Sequence, residues 1–349
     1  MLKKKLPVEI IFTPEWWNKH TGITFDRDYF FHPLKRIESE QNMEKALYER
    51  WGKYGLGANK DEKRPEVGPV HLAAGFMLSE MMGCKVRYSE NHPPQVIPEK
   101  RDSLLFNMND VFKSNTFKEF CRLKEQLKQK YGYLTGDVNW GGILNLAIDL
   151  RGEDIFTDIM LDPDAVREYF LNIAGLIDKF TDFVQTETGS SSIAVNRAVR
   201  HFDKPVFLHS QCSHTMISTE DYENVLLEYD IRWSKIKRPF GIHYCGRDPH
   251  RFAETFAKIP HLDFLDVGWG GDVKMLRKYL PGTFLNIRLS PVELITQSNN
   301  EIREIITRLV HESGDPCMTG ICCINLDDKI QDSKITTILK TVDELRQKL

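Results

Sequence analysis

His243 and Cys245 stand one residue apart at the end of a strand-like apolar run, and Cys322 and Cys323 end a second such run near the C-terminus. Side chains on an extended segment alternate between two faces, so His243 and Cys245 point the same way. An imidazole and a thiolate on one face, joined by a thiolate from a later strand, make a three-ligand zinc site. Its fourth position is open, which is the arrangement of catalytic rather than structural zinc. Such a site can hold a thiol as its thiolate near neutral pH, making it a nucleophile. It can equally draw charge from an ether or alcohol oxygen and make that oxygen a better leaving group. Cys322 and Cys323 face opposite ways if the strand continues, so at most one of them joins the set, and the residues leave the choice open. The competing reading is a core histidine with buried thiols.

Three further stretches carry polar groups suited to a pocket. Leu208-His-Ser-Gln-Cys-Ser-His214 offers His209, Cys212 and His214 as metal ligands or substrate contacts, while Ser218 and Thr219 beyond it suit helix capping. Gly136-Asp-Val-Asn-Trp-Gly-Gly142 combines Asp137, Asn139 and Trp140 with glycines that let backbone approach a ligand closely. No Gly-Lys-Ser/Thr follows, so it is not a phosphate loop, and a tight strand-to-helix turn is the alternative. Asp266-Val-Gly-Trp-Gly-Gly-Asp272 places Trp269 beside the same pocket and Asp272 at a helix start. His209 and Asp137 are therefore the candidate catalytic groups; Asn139, Trp140 and Trp269 are the candidate substrate contacts.

These residues need elements to gather them. Strand-like runs fall at Tyr133–Val138, Ile193–Val195, Lys204–Leu208, Phe240–Tyr244, Phe264–Val267, Thr283–Ile287 and Pro316–Cys322. Amphipathic helices lie between most of them, the clearest over Asp164–Gln185 after an Asp162-Pro163 start signal. Alternating strands and helices predict parallel βα units. No Gly-x-Gly-x-x-Gly turn follows an early strand, which removes the usual dinucleotide-binding cue for an open sheet. Polar residues instead recur at strand C-terminal ends, which a (β/α)8 TIM barrel gathers at one face. The expected organisation is a single barrel domain over 1–349. An N-terminal extension of helices and loops (1–100) caps one end, and the barrel itself runs over 101–349.

Composition narrows the function classes. With 349 residues, 41% hydrophobic and 28% charged, the chain is long enough for a large core and reads as an ordinary globular protein. A formal charge of −3 gives no case for nucleic acid or an anionic membrane surface as partner. No apolar run nears the roughly 20 residues of a spanning helix, and the basic N-terminus lacks the apolar stretch of a secretory signal, so a cytoplasmic protein is expected. Seven cysteines, an odd number, argue against a disulfide framework.

The Gly136–Gly152 segment and the Leu161-Asp-Pro-Asp-Ala-Val166 helix start resemble the uroporphyrinogen decarboxylase superfamily. The late glycine-cysteine strand and the C-terminal Asp-Ser-Lys-Ile helix are similar too. The Arg-Gln-Ala-Gly-Arg-Tyr segment of its porphyrinogen decarboxylases is missing. The branch that is similar instead is the cobamide-dependent methyltransferases. Their zinc ligands, a His-x-Cys and a much later Cys, match His243, Cys245 and Cys322 or Cys323. The commonest form has glycine directly before the last cysteine, whereas this chain has Gly320-Ile-Cys-Cys. The resemblance implies a zinc enzyme that moves a methyl group between a corrinoid protein and a small thiol or methylated substrate. With no corrinoid-binding Asp-x-His-x-x-Gly segment in the chain, the cobamide is expected on a partner. The rival expectations are a decarboxylase-like lyase with a non-porphyrin substrate and a catalytically degenerate binding protein.

Overall fold

In the computed structural model, residues 5–59, 75–132, 134, 140–189 and 202–348 are described. The sheet strands are β1 (Val8–Phe12), β4 (Phe207–Ser210), β5 (Phe240–His243), β6 (Phe264–Val267), β7 (Phe284–Arg288) and β8 (Thr319–Leu326). The short strands β2 (Lys85–Arg87) and β3 (Gln95–Ile97) pair antiparallel by themselves. The six run in the order β1-β8-β7-β6-β5-β4, every neighbour parallel. β4, β5, β6 and β7 are buried at every residue, as expected where both faces of a parallel sheet are covered. Six parallel strands with helices between them agree with the expected βα architecture. Ile193–Val195 and all of Tyr133–Val138 except Leu134 lie outside the described residues.

The N-terminal stretch contributes to the sheet: Val8–Phe12 pairs with β8 through Val8–Ile321 and Ile10–Cys323. Five residues are too few for a periodic signal, and the pairing that selects this strand comes from the other end of the chain. Just beyond it, Trp16 and Trp17 of the Pro14–Thr21 helix are buried, and Phe12 stacks on Trp16 at 3.9 Å between ring centroids.

Helix boundaries follow local chemistry. Asp162 accepts from the Ala165 backbone N–H and starts the Pro163–Thr188 helix, which buries Val166, Phe170, Ile173, Ile177 and Phe180 on one face. Ser218 and Asp221 form a capping box, and Asp272 accepts from the Met275 N–H. The helical stretch after β4 breaks at Leu226 into Thr219–Val225 and Leu227–Ile236. Among the described residues no helix is long and apolar enough to cross a membrane.

Strand parity then decides which side chains meet. The register pairs Ser210 with His243, His243 with Asp266, Asp266 with Asn286, and Asn286 with Gly320. These residues share the inner face, and the Asn286 Nδ2 donates to Asp266 Oδ1 at 3.2 Å. A Cβ at Gly320 would lie 2.7 Å from Asn286 Oδ1, so this position needs glycine's missing side chain. The alternate residues Phe207 and His209 face outward, against Trp233 of the Leu227–Ile236 helix.

Candidate metal centre

Cys212, His243 and Cys245 converge at the C-terminal ends of β4 and β5, their ligand atoms all within 4.8 Å of one another. His243 Nε2 lies 2.8 Å from Cys245 Sγ, and Cys212 Sγ lies 2.9 Å from the same sulfur. The register explains the meeting. Ser210 pairs with His243, so residues two beyond each, Cys212 and Cys245, come side by side. All seven cysteines are free thiols, and Cys212 and Cys245 are part-exposed, whereas His243 is 1% exposed. Two thiols and one imidazole around a single point fit a three-ligand metal site of the kind zinc takes, with a fourth position left to a substrate.

The surroundings favour metal binding. His243 Nδ1 hydrogen-bonds the Asp266 carboxylate, which is fully buried. A carboxylate on the far nitrogen of a ligating histidine fixes the ring and aims the other nitrogen at the metal. The Cys322 thiol donates to Asp266 Oδ1 at 3.7 Å, and Arg288 Nη2 lies 3.7 Å from Oδ2. Burial would raise the Asp266 pKa, but His243, Arg288 and Asn286 hold it below the ordinary carboxylate range. Burial likewise works against a charged His243, yet Cys245 and Asp266 raise its pKa to about 9. Cys245 is held well below the usual thiol range, first by its hydrogen bond from Cys212 and, against burial, by the charges of His243 and Arg288. Cys212, the donor, is pushed upward by the same bond and by burial.

The set differs from the expected one. Neither Cys322 nor Cys323 belongs to the cluster: both are 0% exposed, and burial pushes both thiols upward. Cys322 faces inward on β8, paired with Arg288, and reaches the carboxylate behind His243 rather than the ligand position. Cys323 faces the other way, its thiol on the Leu289 carbonyl at 3.8 Å. Cys212, read from sequence only as one option in its turn, supplies the third donor.

His209 also stands elsewhere. It is 1% exposed on the outer face, with Nδ1 on Asp230 at 2.7 Å and Nε2 accepting from the Ile143 backbone N–H at 3.2 Å. Both ring nitrogens are thus engaged away from the cluster. Trp140 is fully buried and stacks on that ring at 5.7 Å and 10°. Trp269 is part-exposed and lines a cavity of about 160 Å³ with Gly268, Arg288 and Ser290, smaller than the ~300 Å³ at which ligand pockets begin. Asp137 and Asn139 lie outside the described residues. In the sequence Asp266 stood out only as the first residue of the 266–272 stretch, and Asp230 carried no local signal.

No protein-family model matches the chain, and no curated protein matches it in sequence. Among solved structures it is similar to a methyltransferase from Methanosarcina mazei, with a TM-score of 0.65 and 13% identity, covering 98% of this chain and 94% of that one. It is also similar to a B12-independent methionine synthase from Shewanella sp. W3-18-1, with a TM-score of 0.52 and 9% identity, covering 99% and 97%. At these identities the likeness establishes a shared fold along almost the whole chain.

Proposed function

We propose that this protein is a zinc-dependent methyltransferase of the cobamide-dependent kind. It would move a methyl group between a corrinoid protein and a small thiol or methylated substrate. The observation that carries the reading is the Cys212–His243–Cys245 cluster, part-open at the C-terminal edge of a parallel sheet. That edge is where enzymes of βα architecture build active sites. The fold shared with a methyltransferase and a methionine synthase supports methyl transfer as the reaction class. The reading includes a closed (β/α)8 barrel, which needs two strands between β1 and β4 beyond the six described.

Cys212, His243 and Cys245 would hold the ion. Zinc bound there would stabilise a substrate thiol as thiolate or withdraw charge from a methoxyl oxygen. The protein's own residues prepare that position. With an ion bound in place of the Nε2 proton, Asp266 would hold the remaining His243 proton on Nδ1 and keep the Nε2 lone pair aimed at the metal position. Asn286 and Cys322 hold Asp266 in place by donating to its Oδ1. Arg288, 3% exposed, keeps a positive charge near the thiolates and carboxylate.

Purified protein is expected to contain about one zinc per chain. Methyl transfer is assayed with free methylcobalamin against a panel of small thiols, and in reverse with methoxylated aromatics and cob(I)alamin. Zinc-loaded protein that moves no methyl group in either direction refutes the reaction, while protein that takes up no zinc refutes the site.

A further inference from the structure

We infer that Asp230, on the Leu227–Ile236 helix behind the sheet, is the positioning residue that holds Cys212 at the ligand position. The inference rests on the metal-site reading above. Asp230 is fully buried and collects three side-chain donors: Tyr222 OH at 2.6 Å and Gln211 Nε2 on Oδ2, and His209 Nδ1 at 2.7 Å on Oδ1. Charge-assisted bonds in a buried network are strong and directional, so this carboxylate is a rigid anchor.

The link to the cluster runs through Gln211, the residue before Cys212. Its backbone N–H donates to the His243 carbonyl at 2.8 Å, and its own carbonyl accepts from His214 at 3.2 Å. Its side chain lies on the same outer side as His209 and reaches Asp230 there, and its Oε1 is buried without a partner. Gln211 is also where the chain leaves the strand, with φ −109° and ψ 44°, before the 3-10 turn Cys212–Met216. The torsions at this residue set where the Cys212 sulfur points. Backbone pairing ties Gln211 to β5, and the bond to Asp230 fixes its rotation. Tyr222 and His209 share the carboxylate but are not in the chain next to Cys212, which separates positioning from plain packing.

Cobalt(II) in place of zinc gives the test, because thiolate-to-cobalt charge-transfer absorption counts the sulfurs on the metal. Gln211→Met cuts the tie to the anchor, together with a 3.2 Å contact to His209 Nδ1. Asp230→Asn weakens the anchor itself, and Tyr222→Phe removes a donor from the same carboxylate while leaving the Gln211–Asp230 bond in place. The wild type and Tyr222→Phe are expected to show two thiolates per cobalt. Gln211→Met and Asp230→Asn are expected to show one, with metal affinity weakened by roughly 10–100-fold. Should Asp230→Asn fail to fold, Gln211→Met decides. Two thiolates retained in Gln211→Met, with only a lower melting temperature, overturns the inference and leaves Asp230 a packing residue. A wild type that binds neither metal removes the three-ligand reading first, and the inference falls with it.

Discussion

Replacing Cys212 by serine should empty the metal site, and replacing Cys322 by serine should not. Cys212 is one of three donors converging within 4.8 Å, whereas Cys322 touches only the carboxylate behind His243, at 3.7 Å. Apparent zinc binding by four-ligand protein sites is about 10–16 kcal/mol, so one ligand accounts for about 3–4 kcal/mol. Loss of Cys212 is then expected to weaken affinity by about 100- to 1000-fold, from 1.4 kcal/mol per factor of ten. Serine at 322 keeps a hydroxyl that can donate to Asp266, and its cost is about 1 kcal/mol of stability or less. Zinc per chain after dialysis, and competition against a chromophoric chelator, measure both variants on the same scale. Full zinc retention in Cys212→Ser together with loss in Cys322→Ser would refute the geometry and restore the late cysteine as ligand.

Three further outcomes follow from the same contacts. Asp266→Asn should weaken zinc binding by roughly 10–100-fold, because the amide holds the His243 ring less firmly and leaves Arg288 without its carboxylate; unchanged affinity counts against the role of Asp266. Gly268→Ala should destabilise the fold and lower zinc content together, since the added Cβ would lie 1.7 Å from the carbonyl oxygen of Gly246, next to Cys245. A soluble variant with normal zinc and normal melting contradicts that. Asp149→Asn tests a stability term with a definite sign. Burial raises the Asp149 pKa from 3.8 to about 6, against a bond from Ser79 that lowers it. The folded state therefore holds the proton more tightly than the unfolded chain, and stability falls as pH rises from about 4 to about 6, by at most about 3 kcal/mol. The asparagine variant lacks this loss. Its melting temperature should gain on the wild type through that window and level off above it, and a pH-independent difference defeats the argument.

What was legible in the sequence was local. His243 and Cys245 share one extended run, so alternation alone put them on the same face, and Ser218, Asp162 and Asp272 announced helix starts through bonds to N–H groups three residues ahead. The alternation of strands and helices gave the parallel sheet for the same reason, since each element's period is written in its own residues. What the tertiary structure alone decided was pairing and parity. Nothing in the sequence states that β4 lies beside β5 with Ser210 opposite His243, and that single register brings Cys212 to the cluster and turns His209 outward to the helix layer. Nor does a five-residue run at Val8 show that it pairs with β8, more than three hundred residues away. Ligand identity depends on which strands become neighbours, and neighbours are chosen by burying both faces of the whole sheet at once, a condition no short stretch of the chain contains.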